Sequence, residues 1–304
     1  MQPTQQGRIP NRGGVDIDAS QLSAGKNPMK NKYHNYKSIE DFLISHPLNI
    51  DAELNDGWGA YFPVKGIELE ATILFADIAS FSKRTKELSP IETLIFVNNF
   101  FAWMSAEGLQ ESCGLIDKYI GDEMMIVFSN EFGSENHFED ALRCARGMID
   151  RDSLVYAPHI GIASGNVAVG YTGTTLHYNA SVFGWPVTMA ARCASVKSER
   201  MGGGSIIFPE SNWSNQDIDK LFPKRVYKSY DGTATEQPQY WAVLPPRTVP
   251  MKNMEDTSII ELKCGLMHAT EYTATQRAKD NFEGLMKNGF YRKFITKNKS
   301  SELD

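Results

Sequence analysis

Apolar positions along the chain fall into two rhythms, and the switches between them predict the order of elements. "GIELEATILFADI" (66–78) alternates and then becomes a continuous apolar run, the pattern of a central strand. "SPIETLIFVNNFFAWMSAEGLQESCG" (89–114) follows with helical spacing. Ser89 suits an N-cap, Pro90 the first helical position, and Glu92 closes a capping box. Leu94, Val97, Phe101 and Met104 share one face, and Gly114 is the expected stop. "IDKYIGDEMMIVF" (116–128) reads as a buried hairpin, and "FEDALRCARGMIDRD" (138–152) as a second helix. "YAPHIGIASGNVAVGYTG" (156–173) predicts two strands with a turn at Ser164-Gly165. "VTMAARCASVKSE" (187–199) is a third helix, "GSIIFPE" (204–210) a strand, and "QYWAVLP" (239–245) and "SIIELK" (258–263) closing strands. The order β-α-β-β-α-β, with extra strands, describes an α+β fold: a ferredoxin-like βαββαβ sheet with helices on one face.

The flanks divide the chain further. Residues 1–35 are polar and rich in Gly, Asn, Gln and Ser, and are expected to be disordered. Residues 36–66 form a lead-in, with a short amphipathic helix "SIEDFLISH" starting at Ser38 and then a loop. Residues 67–264 form the main domain, and 265–304 a C-terminal helix, "ATQRAKDNFEGLMKNG", with a charged tail.

Charge and cysteine usage narrow the function classes. Net charge is −6, and Lys and Arg form no long stripe, which speaks against nucleic acid as a partner. Four widely spaced cysteines without C-x-x-C, and six His away from zinc-ligand spacing, read as reduced, buried thiols. The polar start lacks the apolar core of a signal peptide. "TLIFVNNFFAWM" is too short to span a bilayer and is broken by two Asn. A cytoplasmic protein with no membrane partner is expected.

Two charges stand out inside the apolar hairpin. Lys118 and Asp122 are costly to desolvate without partners. A tight Gly121-Asp122 turn with the charges at its rim accounts for them, and so does a ligand site. Asp77, in "FADIASFS", is the first charge after six uncharged residues. If their strands are neighbours, Asp77 and Asp122 meet at one sheet edge, and a divalent cation would relieve their repulsion. The loop after Asp77, Ile78 to Ser82 with Phe81 within it, offers backbone N–H groups to a phosphate. Two aspartates, a metal and a phosphate-accepting loop describe two-metal phosphoryl transfer.

At this point the chain resembles a known family. "ATILFADIASFS", "DKYIGDEMMIVF", "HIGIASGNVAVGYTG" and "SVFGWPVTMAARC", in that order, are similar to the class III nucleotidyl cyclase catalytic domain. The resemblance runs from about residue 67 to about residue 264. It implies a head-to-tail homodimer with active sites at the interface. One subunit supplies two divalent ions, Mg2+ or Mn2+, held by Asp77, Asp122 and the Ile78 carbonyl. The other supplies the contacts to base and transition state.

Carried over position by position, Lys118 falls where adenylate-making members read the purine, and Ser181 at the second base-reading position, commonly Asp. Arg192 matches the arginine that steadies charge developing on phosphate. Thr188, one turn earlier, replaces the usual ribose-orienting Asn. Lys252 lies where many members contact the triphosphate through Lys-Gly, with Asn253 replacing the Gly. The resemblance implies a nucleoside triphosphate substrate, cyclised to a 3′,5′-cyclic nucleotide and pyrophosphate. Lys118 tilts the choice towards ATP. Stand-alone members that make cyclic UMP or cyclic CMP in anti-phage defence, with a separate effector protein, are the alternative. A degenerate nucleotide-binding module is a further one, supported by Thr188 and Ser181. A diguanylate cyclase is excluded, because no Gly-Gly-Asp/Glu-Glu-Phe turn occurs.

Overall fold

The computed structural model describes residues 35–55, 61–150, 152, 156–174, 177–198, 204–213, 218–222, 226–228, 234–236 and 241–264. The segments expected to be disordered up to residue 34, and helical over 274–289, lie outside the described residues. The first elements are α1 (Ile39–Ser45), β1 (Ile50–Asn55), β2 (Tyr61–Asp77), α2 (Phe81–Thr85) and α3 (Pro90–Gly108). Then come β3 (Leu115–Ile120), β4 (Glu123–Phe128), α4 (His137–Asp150), β5 (His159–Thr174), β6 (His177–Phe183) and α5 (Trp185–Ser195). The last are β7 (Ser205–Pro209), α6 (Ile218–Leu221), β8 (Val226–Lys228), β9 (Ala234–Glu236), β10 (Trp241–Val243), β11 (Arg247–Val249) and β12 (Thr257–Cys264).

The main sheet runs β10-β12-β7-β5-β2-β4-β3, with β1, β6 and β11 pairing alongside β2, β5 and β12; β8 and β9 form a separate ribbon. Its core, β5-β2-β4-β3, is the βαββαβ arrangement expected from the order of elements. Among the described residues, only β5 and β7 pair in parallel. Strand β2 is the spine. Every side chain from Ala71 to Ala76 is buried, so this strand is covered on both faces. Leu74 and Ala76 share a cluster with Phe96 and Phe100 of α3 and Met148 of α4. Ile73 and Phe75 share the opposite cluster with Phe42 of α1 and Ala190 and Cys193 of α5. The helices therefore divide between the two faces rather than lying on one.

Local chemistry explains most boundaries. Ser89 and Glu92 form both arms of the capping box at the start of α3, and Ser38 caps α1 through the amide of Asp41. The buried stripe of α3 differs from the expected one. Ile95, Phe96, Phe100, Phe101 and Met104 are buried, while Leu94 is exposed. The helix is turned because Phe96 and Phe100 pack on Tyr156, with ring centroids 5.3 and 5.2 Å apart. It ends at Gly108 rather than Gly114, tightening into a 3-10 turn over Leu109–Glu111. The lead-in holds a strand, β1, where a loop was expected.

The turn expected at Ser164-Gly165 is absent. β5 runs unbroken and pairs with β2 from Gly66–Gly170 to Asp77–His159. That ladder outweighs the local turn preference of Ser-Gly, and Ser164 Oγ bonds Thr72 Oγ1 at 2.6 Å.

Helix α5 rests directly on β5. A Cβ at Gly161 would run into the Ala190 carbonyl and the Ala194 amide. Gly161→Ala is expected to cost about 1–3 kcal/mol or more, because the helix must lift off the sheet. Gly121→Ala meets no atom within 4 Å, but φ there is +63°, so its cost is conformational, about 1–2 kcal/mol. Urea unfolding distinguishes the two causes. Gly121→Asn should recover much of the loss, since Asn tolerates the left-handed region, whereas no side chain at position 161 should.

Candidate active site

Asp77 is the last residue of β2, opposite Glu123 of β4 on one side and His159 of β5 on the other. Its hairpin neighbour is β4, not β3, which lies one strand further out. Gly121 and Asp122 form the two-residue loop between β3 and β4, with Gly121 in the positive-φ conformation such tight loops require. The tight-turn reading and the ligand-site reading thus hold together. The turn places the Asp122 carboxyl in hydrogen-bonding contact with Asp77.

The electrostatics of this pair are unfavourable by construction. The Asp77 carboxyl is pushed up to about 8, first by burial and then by the hydrogen bond and negative charge of Asp122 and the charge of Glu123. The Ile78 amide works in the opposite direction. Burial and Asp122 also raise Glu123. A proton shared by the two carboxyls relieves the repulsion, and a cation would do so more fully. Among the described residues, no group of three or more His, Cys, Asp or Glu is gathered for a metal. The donors present are two carboxylates and the Ile78 carbonyl, all oxygen, a set suited to Mg2+ or Mn2+ with substrate oxygens completing the shell. The Ile78 carbonyl already accepts the Phe81 N–H at 3.2 Å, which leaves its second lone pair. That bond also removes the Phe81 amide from the expected phosphate loop, and the Phe81 ring packs against the core. The amides of Lys83 and Arg84 are likewise spent on Ser80.

The other candidates fall into two groups. Lys118 Nζ donates to Ser181 Oγ and lies 3.1 Å from Asp117 Oδ2. β3 carries a bulge between Ile116 and Lys118, and from Lys118 to Ile120 its pairing with β4 is regular. Arg192 and exposed Thr188 lie one turn apart on α5. The Arg192 Nε is buried without a hydrogen-bond partner. Arg192 lines a cavity of about 350 Å3 with Lys197, Arg247 and Lys252, four cations in one hollow. Lys197 and Arg247 belong to no motif, and nothing but their charge marks them in the sequence. Asn253 has φ +61°, a backbone conformation that Asn adopts more readily than most side chains. Among the described residues, no hydrogen bond or ion pair joins Asp77 or Asp122 to Lys118, Thr188, Arg192 or Lys252.

Residues 66–201 match the family model of the Adenylate and Guanylate cyclase catalytic domain. All four motifs lie within that matched segment. An adenylate cyclase of Anabaena cylindrica is 28% identical over 169 residues, 51% of this chain and 32% of that protein. The terminal-differentiation specific adenylate cyclase of Dictyostelium discoideum is 28% identical over 137 residues, 42% of this chain and 6% of that one. The chain thus spans about a third or less of the length of these curated relatives. Among solved structures, the adenylyl cyclase CyaB from P. aeruginosa aligns with TM-score 0.49 and 18% identity, over 66% of this chain and 97% of that one. Among the described residues, no helix is long and apolar enough to cross a membrane.

The carboxyl pair predicts a pH dependence for the metal-free protein. The Asp77 carboxyl titrates near 8 when folded and at 3.8 in a model peptide, so between those values the native state holds a proton that the unfolded state has lost. Stability is therefore greatest at the acid end of that window and declines as pH rises through it. Asp77→Asn should flatten the decline and raise the melting temperature at its alkaline end. Thermal unfolding in a chelator across the window checks this, and an unchanged slope in Asp77→Asn would remove Asp77 as its source.

Proposed function

We propose that the protein is a metal-dependent nucleotidyl cyclase that works as a homodimer, converting a nucleoside triphosphate to a 3′,5′-cyclic nucleotide and pyrophosphate. The observation that carries this reading is the half-buried Asp77–Asp122 pair, two carboxyls in hydrogen-bonding contact where β2 ends and the β3–β4 loop turns. Asp77, Asp122 and the Ile78 carbonyl would hold two divalent ions, whose chemistry is to favour the alkoxide of the ribose and offset phosphate charge. The 3′-oxygen then bonds to the α-phosphorus, the bond from that phosphorus to the bridging oxygen breaks, and pyrophosphate leaves with the electron pair. Arg192 steadies the charge on the α-phosphate through its planar fork of donors. Lys252 and the cationic cavity beside it hold the departing pyrophosphate. Thr188 offers its hydroxyl to the ribose in place of the amide carried by most relatives. Lys118 and Ser181 face the base, with ATP slightly favoured.

The half-sites support the dimer. Metals on one subunit and Arg192 on the other make each active site a joint product of two chains. The protein acts in the cytoplasm and hands its cyclic product to a separate effector.

Purified protein with Mn2+ should be offered ATP, GTP, CTP and UTP separately, with cyclic products identified by mass. Asp77→Ala and Asp122→Ala should bring turnover to background without lowering the melting temperature, and Arg192→Ala should cut it roughly 10²–10³-fold. An equal mixture of Asp77→Ala and Arg192→Ala should recover about a quarter of wild-type activity, since half the dimers are mixed and each has one intact site. Near-normal turnover in either aspartate variant would refute the metal assignment. No recovery on mixing, with subunit exchange confirmed, would place the whole site in one chain.

A further inference from the structure

The bulge in β3 makes Asp117 the extra residue, between Ile116 opposite Ile126 and Lys118 opposite Met125. On a regular strand Asp117 and Lys118 would point to opposite faces. The bulge re-aims them so that both meet one atom, Ser181 Oγ, on β6. Lys118 Nζ donates to Ser181 Oγ, and Ser181 Oγ donates to Asp117 Oδ2 at 3.2 Å. The same carboxylate oxygen lies 3.1 Å from Lys118 Nζ. The Asp117 side chain is 0% exposed, against 37% for Lys118. Asp117 Oδ1 is buried with no hydrogen-bond partner. A carboxylate buried at this cost, with half its acceptor capacity unused, is more than a rim charge on a turn needs.

Counting donors shows what Asp117 does to its neighbours. Lys118 has three N–H bonds, of which two are spent within the trio. Ser181 has one hydrogen, and Asp117 takes it, so the hydroxyl can offer an incoming group only a lone pair. A lysine alone donates equally to a ring nitrogen or to a keto oxygen. An obligate acceptor beside it does not: it welcomes an amino group and repels a carbonyl.

We propose that Asp117 sets the base choice of the nucleotide site, by locking Lys118 and fixing Ser181 as an acceptor, in favour of the amino bases adenine and cytosine over the keto bases guanine and uracil. This rests on the nucleotide-site reading above and deepens it. Asp117 is a positioning residue, acting through Lys118 and Ser181. The preference belongs to binding as well as to turnover.

The test measures binding of the four α,β-methylene nucleoside triphosphates with Mn2+ by titration calorimetry, alongside turnover of the four natural nucleotides. Wild type should bind the adenine and cytosine analogues about tenfold more tightly than the guanine and uracil analogues, the effect of one hydrogen bond made or opposed. Asp117→Asn keeps the shape but gives Ser181 a donor instead of an acceptor. It should bring all four within about threefold, with little change in melting temperature. Ser181→Ala removes the fixed acceptor, leaves the Lys118–Asp117 pair, and should level the preference too, so the test survives if Asp117→Asn fails to fold. Wild type without an amino preference, or a preference unchanged in both variants, overturns the proposal. Amino-selective binding without turnover would sink the cyclase reading and leave Asp117 in its role. Equal turnover and binding of all four would do the reverse.

Discussion

A strand buried on both faces cannot end in a carboxylate without consequence, and the architecture of the site follows from that constraint. β2 carries an unbroken buried run from Ala71 to Ala76 and then Asp77, still half-buried. The tight β3–β4 loop sets Asp122 against it. Burial and the neighbouring Asp122 and Glu123 push the Asp77 carboxyl up to about 8. The sheet and its two helical layers make this arrangement hard to relax. α3 and α4 press from one side and α1 and α5 from the other. The contact between Gly161 and the backbone of α5 leaves no slack between helix and strand. Fold stability and the poised charge are in this sense one structure, in which packing supplies the energy that holds an unfavourable pair together.

The same rigidity sorts the remaining polar groups into units. α5 carries Arg192 to a cavity where Lys197, Arg247 and Lys252 converge. One of these four cations, Arg247, is paired with the buried Glu261 at 3.3 Å. The Asp117–Lys118–Ser181 trio lies on β3 and β6. Among the described residues, neither unit has a hydrogen bond or ion pair to Asp77 or Asp122.

Much of this was legible in the sequence, and the exceptions have physical causes. The capping box of α3, the α1 cap and the hairpin turn were visible because they depend on neighbours in the chain. The pairing of Asp77 with Asp122 was visible because Asp77 ends an apolar run and Asp122 stands in the turn of an apolar hairpin. The α3 stripe was misjudged because tertiary contact with Tyr156, not periodicity, decided its facing side. The run from Ala71 to Ala76 announced burial on both faces, and placing all helices on one face overlooked that signal. The supposed turn at Ser164-Gly165 failed because a local preference met a long ladder with β2. Asp117 was passed over because a one-residue bulge leaves no mark in the pattern of apolar positions. Lys197 and Arg247 reach the cavity only through the turn after α5 and the β11 edge, contacts that no spacing rule encodes.

The central claim is that a divalent ion replaces the proton held by Asp77 and Asp122, and the most direct measurement is proton release on metal binding. Mn2+ should be titrated into the protein by calorimetry below pH 8, in buffers of different ionisation enthalpy. The account predicts binding accompanied by net release of protons to the buffer, with the release lost on going above the pH at which Asp77 titrates, near 8, and with both binding and release lost in Asp77→Asn. Binding without proton release, or binding and release unchanged in Asp77→Asn, would contradict it.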